Sequence, residues 1–251
     1  MVKVSIIMPV YNEEKHISEA INSVINQTFV DWELVIVNDA STDNTKKISQ
    51  NYCKKNKRIK LINHNENKYR AGALNTGIKN SKGKYITFLD GDDIYMSNML
   101  EEETKFLEKN MKIDLVYGNM KRFNEEGDFE FVDAIEFKEN PKKIMLRSVK
   151  RKDFEKIKTY EILSERGKKL IPGCSVMMRR EIFKSVHFDE DLVASQDYDL
   201  WFKIIGKGFK LKKLNILAYR YRIHKGNVSK GKKLIASKVI KEKLKKGIYF
   251  K

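Results

Sequence analysis

Cysteine is scarce: of 251 residues only Cys53 and Cys174 are thiols. They lie far apart and match no metal or redox spacing, so a disulfide framework and a zinc module are excluded and two reduced, buried or half-buried thiols are expected. Long apolar runs are missing as well. Val4–Val10, interrupted by Ser5 and Pro9, is far short of the ~20 residues of a membrane span, and no charged-then-apolar leader precedes it. A soluble, cytoplasmic protein is therefore expected. Phosphate-cradling glycines are absent too: there is no P-loop and no G-x-G-x-x-G anywhere, and Pro9–Glu13, after the first apolar run, holds no glycine. Classes built on those loops lose their support.

Acids are the last deficit. The chain has 51 Lys and Arg against 34 Asp and Glu, a formal charge of +17, while 41% hydrophobic residues with 13 Phe and 11 Tyr supply a real core. Disorder over the whole chain is excluded. Such a surplus asks for an anionic partner, but it is unevenly spread. Residues 221–251 carry 11 basic residues and one acid, Glu242, for a net of +10, and residues 142–158 carry eight and two, for a net of +6. The other 203 residues sum to about +1. A neutral body with one basic loop and one basic tail is not the profile of a protein that wraps duplex along a face, and no nucleic-acid partner is expected.

The first ninety residues alternate between two periodicities. Val4–Val10 and Trp32–Val37 are solid, β-branched runs; Arg58–Ile62 and Lys84–Leu89 are further strands. Between them, helical spacing predicts helices over Glu13–Gln27, Thr45–Lys55 and Ala71–Asn80. This β-α-β-α-β-α-β order predicts an α/β fold with a mostly parallel sheet covered on both faces, with ligands at the carboxyl ends of strands. Three polar clusters follow strands there: Pro9–Glu13, Asn38–Asp43 and Asp90–Asp93. Three acids in four residues repel one another unless a cation sits among them, and hard carboxylate oxygens suit Mg²⁺ or Mn²⁺. A solvated acidic turn capping the next helix is the alternative.

In order, VSIIMPVYNEE, VIVNDASTDNT, ALNTGI and KGKYITFLDGDD resemble the inverting nucleotide-sugar glycosyltransferases of family 2, which have the GT-A fold. The likeness continues in Gly173–Arg180 (an acceptor-side strand), Phe188–Leu192 (F-D-E-x-L), Ser195–Trp201 (E-D-Y-D-L-W) and Tyr221–Ser229 (Y-R-x-H-x-x-N-x-S). The resemblance implies a GT-A domain over residues 1–225, with a nucleotide half at 1–93, an acceptor-side half at 94–225 that includes a small antiparallel portion, and a basic, helical tail at 226–251. It implies a nucleotide pocket of Pro9, Tyr11, Glu13, Asp39, Arg70 and Asp90. Tyr11 would stack on uracil, its alternative being an ordinary core aromatic, and Asp39 would accept from a uracil N3–H, which points to UDP or dTDP donors. Arg70 would approach the nucleotide or else be solvated, and Asp90 would meet ribose or sugar hydroxyls. Asp92, with His224 beside it, would bind Mn²⁺ or Mg²⁺ at the diphosphate; a lone surface histidine is the alternative reading of His224. Asp197 would be the catalytic base, with Asp199 the runner-up two residues on, although acids in a first helical turn are favoured by the macrodipole alone. Gln196 stands where the family commonly has Glu.

Other side chains are expected to be structural. Ser41, Thr42 and Asp43 would cap the second helix, Asp93 a helix beginning near Met96, and Trp201 would pack in the core. Leu234, Ile240, Leu244 and Ile248 could share one face of a helical tail. That tail either meets an anionic membrane surface, which would seat the protein at the inner face of the cell membrane, or is solvated. The implied partners are a nucleotide-sugar and a glycan or lipid-linked acceptor, chosen in the variable region 121–173. Two alternatives remain: a nucleotidyltransferase on a related sheet and a basic nucleic-acid-binding protein.

Overall fold

The computed structural model describes residues 2–154, 162–163, 171–227 and 230–250, with backbone alone for 230–234. The first four strands are β1 (Val4–Val10), β2 (Trp32–Asn38), β3 (Ile59–Asn63) and β4 (Tyr85–Phe88), with helices α1 (Ile17–Ile25), α2 (Thr45–Lys55) and α3 (Tyr69–Lys79) between them. Short β5 (Ile94–Tyr95) and α4 (Met99–Lys109) lead to β6 (Leu115–Asn124), β7 (Gly127–Val132), α5 (Pro141–Val149), β8 (Val176–Arg179), α6 (Gln196–Gly206), β9 (Leu211–Arg222) and α7 (Lys230–Lys245). The strands form one sheet in the order β3-β2-β1-β4-β8-β6-β9-β5, with β7 paired to β6. The first four are parallel; β8 runs antiparallel between β4 and β6, and β9 is parallel to β6. This is the mostly parallel α/β sheet expected, with its antiparallel pairings all made by the strands that follow β4.

Every residue of β1 and β2 is buried, and the period-2 alternation divides them between two cores. Ile7, Val35 and Val37 join α3, α6 and α7 on one face of the sheet. Ile6, Met8, Leu34 and Ile36 join α1 and α4 on the other. Close approach of α3 to β1 depends on Gly77, where a Cβ would fall 2.2 Å from Ile7 Cγ2.

Several boundaries differ from expectation for physical reasons. The first helix starts at Ile17 rather than Glu13, because the Glu13 and Glu14 amides donate to Thr45 Oγ1 (2.8 Å) and Asp43 Oδ2 (3.0 Å), tying this turn to the β2–α2 loop. The helix after the acidic turn starts at Met99, since Ile94 and Tyr95 instead pair with β9. Asp93 is no helix cap: it is wholly buried and accepts the Arg222 amide at 2.9 Å. In the basic tail Ile240 and Leu244 face the core with Ala236 and Tyr249. Ile248 falls in a 3-10 turn and is exposed, and the Leu234 side chain lies outside the described residues. The tail is thus distinct in charge but continuous in packing with the body.

Candidate functional site

Strand order reverses at β1, with β2 and β3 on one side and β4 on the other. The crevice outside the carboxyl ends of β1 and β4 is therefore the topological switch point where α/β sheets bind ligands. Pro9, Tyr11 and Glu13 leave β1 there, Asp39 leaves β2, and Asp90–Asp93 leave β4. Among the described residues, the four non-glycine residues with left-handed φ are Asn12 (56°), Ala40 (60°), Tyr69 (57°) and Ser195 (57°). All sit at this rim, and such strain concentrates at functional sites. Ala40, in the Asn38–Asp43 turn after β2, keeps the left-handed conformation despite its Cβ, whose crowding normally costs about 1–2 kcal/mol.

On the β2 side Asp39 is nearly buried and accepts from His64 Nδ1 (2.7 Å) and the Lys68 amide (2.9 Å), both at Oδ1. Thr76 Oγ1 lies 3.0 Å from His64 Nε2, so the Nδ1–H tautomer satisfies both contacts. Oδ2 stays available for a donor such as a base N–H. His64 had no role in the sequence reading, though its place one residue beyond β3 was the available signal. Tyr11 is about half exposed at the end of β1. Asp43 does cap α2, accepting the Thr45 amide at 2.9 Å, whereas Ser41 and Thr42 bond to Asn12 and brace the loop after β1.

The centre of the crevice is a bidentate pair: Arg70 donates from Nε (2.8 Å) and Nη2 (3.1 Å) to the two oxygens of Asp90. Burial opposes the charge on Arg70, but the negative groups around it, Asp90 foremost, together more than offset it, so the guanidinium stays ionised. Arg70 also faces Asp197, which burial raises above its ordinary range against the pull of Arg70. Asp197 lies over the loop before β8, within 3.5 Å of where a Cβ on Gly173 would stand.

The acids toward β1 have less compensation. Burial first, then Asp92, Asp90 and Asp43, push Glu13 up to about 8. Burial and Asp90 raise Asp92, opposed by His224, whose Nε2 is 2.9 Å from Asp92 Oδ2. His224 lies in the loop after β9, its amide donating to Asn227 Oδ1 at 2.8 Å, and Arg222, the last residue of β9, donates to the Asp92 carbonyl at 2.8 Å and to Glu19 at 2.6 Å. Asp93 Oδ2 is buried without a hydrogen-bond partner, and oxygens of Asp90 and Asp93 lie with the Cys174 sulfur within 4.8 Å of one another. An orphaned carboxylate oxygen, excess negative charge and an adjoining imidazole fit a hard divalent cation. Arg222 and Cys174 are further site residues without an assigned role in the sequence reading; Arg222 lay within the quoted Y-R-x-H segment.

The two acids of the α6 start separate. Asp197 faces Arg70, but Asp199 is wholly buried on the opposite side, accepting from Tyr249 Oη (2.6 Å) and Lys243 Nζ (2.9 Å). Lys203 Nζ pairs with its other oxygen at 2.6 Å. Trp201 is packed in the core.

Comparison with known proteins places the chain in a family. The family model "Glycosyl transferase family 2" matches residues 5–186. The chain is 33% identical to an uncharacterized glycosyltransferase of Methanocaldococcus jannaschii over 88% of its own length and 70% of that protein's. It is 34% identical to the Escherichia coli UDP-Glc:alpha-D-GlcNAc-diphosphoundecaprenol beta-1,3-glucosyltransferase WfgD, covering 91% of the chain and 80% of the relative. A Rickettsia bellii glycosyltransferase, 37% identical over 89% of the chain, is much longer, and the match spans 30% of it. Among solved structures, S. aureus TarS residues 1–349 in complex with UDP superposes with a TM-score of 0.64 at 21% identity, over 88% of this chain and 60% of that one. The Pyrobaculum calidifontis mannosyltransferase PcManGT in complex with GDP-Man and Mn²⁺ superposes with a TM-score of 0.64 at 18% identity, over 90% and 58%. The chain belongs to glycosyltransferase family 2 and has the GT-A fold.

Proposed function

We propose that this glycosyltransferase moves a sugar from a UDP- or dTDP-sugar to an acceptor hydroxyl with inversion at the anomeric carbon. The observation that carries the reading is that Asp197 and the Asp92–His224 pair flank a shared Arg70–Asp90 centre at the switch point. In this reading Pro9, Tyr11, Glu13, Asp39, Arg70 and Asp90 form the nucleotide pocket, with residues 1–93 as the nucleotide half and 94–225 as the acceptor side. Asp92 and His224 hold Mn²⁺ or Mg²⁺, which when bound neutralises charge growing on the leaving diphosphate. Asp197 takes the acceptor hydroxyl proton as that oxygen bonds to the anomeric carbon and the carbon–phosphate oxygen bond breaks. The UDP and UDP-GlcNAc complexes of TarS and the UDP-Glc relative favour UDP.

The E. coli relative's diphosphoundecaprenol acceptor supports a lipid-linked acceptor here. Among the described residues no helix is long and apolar enough to cross a membrane. A peripheral contact is supported by two surface stripes that mix lysine with aliphatic side chains: exposed Lys143 and Leu146 on α5 with Lys150 at its end, and Ile235, Lys238 and Val239 on α7. Lysines with apolar side chains among them suit an anionic lipid surface. The test of the reading is thermal unfolding with UDP, dTDP or GDP and Mn²⁺, followed by nucleotide release from the matching sugars. A rise in Tm that needs both UDP or dTDP and the metal is expected. No shift with any nucleoside diphosphate overturns the reading.

A further inference from the structure

α6 carries the proposed base in its first turn, so the position of this helix along its own axis sets where Asp197 meets substrate. One face of α6, the stripe of Asp199, Phe202, Lys203 and Gly206 spaced at three, four and seven residues, is engaged by the 3-10 turn Ile248–Phe250 and by α7. At the lower end, the Tyr249 backbone lies against Gly206 so closely that a Cβ there would fall 1.6 Å from the Tyr249 carbonyl oxygen. In the middle, the Tyr249 and Phe202 rings meet edge to face with centroids 5.6 Å apart. At the upper end, the Tyr249 hydroxyl donates to Asp199 Oδ1 at 2.6 Å. Lys243 donates to the same oxygen at 2.9 Å and also pairs with Asp189 in the turn before α6.

A single tyrosine thus spans two turns of the helix that bears Asp197, and Lys243 ties that helix to the preceding loop. Stability alone does not call for such a cluster, because apolar residues of similar volume hold a helix to a core as firmly as a buried ion pair does, or more so. What hydrogen-bonded charges add is direction: sliding α6 by a fraction of a turn breaks all of them. We propose that Tyr249 and Lys243 are positioning residues for sugar transfer, fixing α6 through Asp199 so that Asp197 stands at the anomeric centre. The inference rests on the reading of Asp197 as the base.

The test uses Tyr249→Phe, Lys243→Met and Lys243→Arg in the full chain, with Asp197→Asn as reference. UDP release is followed with Mn²⁺ and whichever of UDP-glucose, UDP-galactose and UDP-GlcNAc turns over fastest. Displacing a catalytic group by a fraction of an ångström to an ångström loses on the order of tenfold or more. The expected result is a fall of about tenfold in kcat for Tyr249→Phe and Lys243→Met, with donor KM and the Tm shift given by UDP and Mn²⁺ unchanged, and recovery of most of kcat in Lys243→Arg. Faster amide exchange over residues 196–202 in Tyr249→Phe is expected as well, and that arm needs no turnover. If Lys243→Met does not fold, Tyr249→Phe, which removes one oxygen atom, decides. A Tyr249→Phe protein with wild-type kcat, or with unchanged exchange over 196–202, overturns the inference. Wild-type turnover in Asp197→Asn sinks the assignment of the base instead, which the exchange measurement leaves untouched.

Discussion

Two groups of buried carboxylates are treated in opposite ways by the same lysine-rich chain. Around the ends of β1 and β4, Glu13, Asp92 and Asp93 are raised by burial and by neighbouring acids, Asp90 among them, and the two guanidiniums of the crevice, Arg222 and Arg70, are already paired with Glu19 and Asp90. Beneath α6, Asp199 is equally enclosed yet meets Lys203, Lys243 and a tyrosine hydroxyl. Where an acid holds the fold together, the chain supplies its own counter-charge. Where acids are left short of it they line a crevice, and uncompensated charge in a crevice marks a candidate binding site.

The strongest way to break this comparison is to exchange the roles of the two α6 acids. Asp197→Asn is expected to lower kcat by up to about 10⁴-fold, the upper range for a general base, with the donor KM and the Tm unchanged. Asp199→Asn is expected to lower Tm, because Lys203 and Lys243 then lose the carboxylate they share, and to lower kcat only by the roughly tenfold expected for Tyr249→Phe, since Asp199 bears on transfer through the placing of α6. A steady-state comparison of the two variants with Tm measured alongside checks this, and comparable kcat losses in both would erase the distinction. The pH profile sharpens it. Asp197 must be ionised to accept a proton, and burial raises it, with Arg70 and Asp90 the charges facing it from α3 and the end of β4. Activity should therefore fall on acidification through a limb lying above the ordinary carboxylate range, and that limb should vanish in Asp197→Asn.

Next in size, Asp92→Ala should remove the joint effect of nucleotide and metal. A cation at a leaving diphosphate supplies several kcal/mol of stabilisation, so roughly a thousandfold loss of turnover is expected. The rise in Tm with UDP and Mn²⁺ should be lost, while the Tm of the free protein should stay or rise because one buried acid is gone. A UDP–Mn²⁺ shift of wild-type size in this variant would show that the crowded acids do not await a cation. Smaller again is Tyr11→Ala. Base–aromatic stacking is worth about 1–3 kcal/mol, so UDP affinity by calorimetry should drop about tenfold with kcat nearly kept.

The first ninety residues were the more legible part. β1 and β2 lie within one residue of their expected bounds and α2 on them, because solid apolar runs in a parallel sheet and an uninterrupted polar helix are local patterns. The rule that ligands gather at strand ends likewise pointed to Tyr11, Asp39 and Asp90–Asp93. Contacts between distant segments escaped it. Asp93 reads as a cap until Arg222, 129 residues later, donates its amide to it. His64 reads as a lone polar residue until Asp39 is seen beside it. The tail reads as a basic stretch that is either solvated or laid on a membrane surface until Tyr249 and Lys243 are found against Asp199. In each case a local role gave way to a partner that only the three-dimensional packing brings close.

One acid fits neither group, and it gives the smallest test. Glu103 on α4 is wholly buried, both of its oxygens lack hydrogen-bond partners, and burial alone raises it well above its ordinary value. It lines no crevice, so no bound cation accounts for it. If uncompensated charge signals a ligand only where a crevice admits one, then Glu103→Met should simply stabilise the protein, by about 1–2 kcal/mol at neutral pH, the scale of an unpaired buried polar group, or roughly 3–6 °C in Tm. The sign with pH is fixed. Below the unfolded value both states bind the proton and the variant gains least. Above it, the folded wild type still holds a proton that the unfolded chain has released, so wild-type stability declines as pH rises and the advantage of Glu103→Met widens. Thermal unfolding of the two proteins between pH 4 and 8 reads this directly. A gap that narrows with rising pH would mean that Glu103 has a positive partner, and that uncompensated acids in this chain are confined to the crevice.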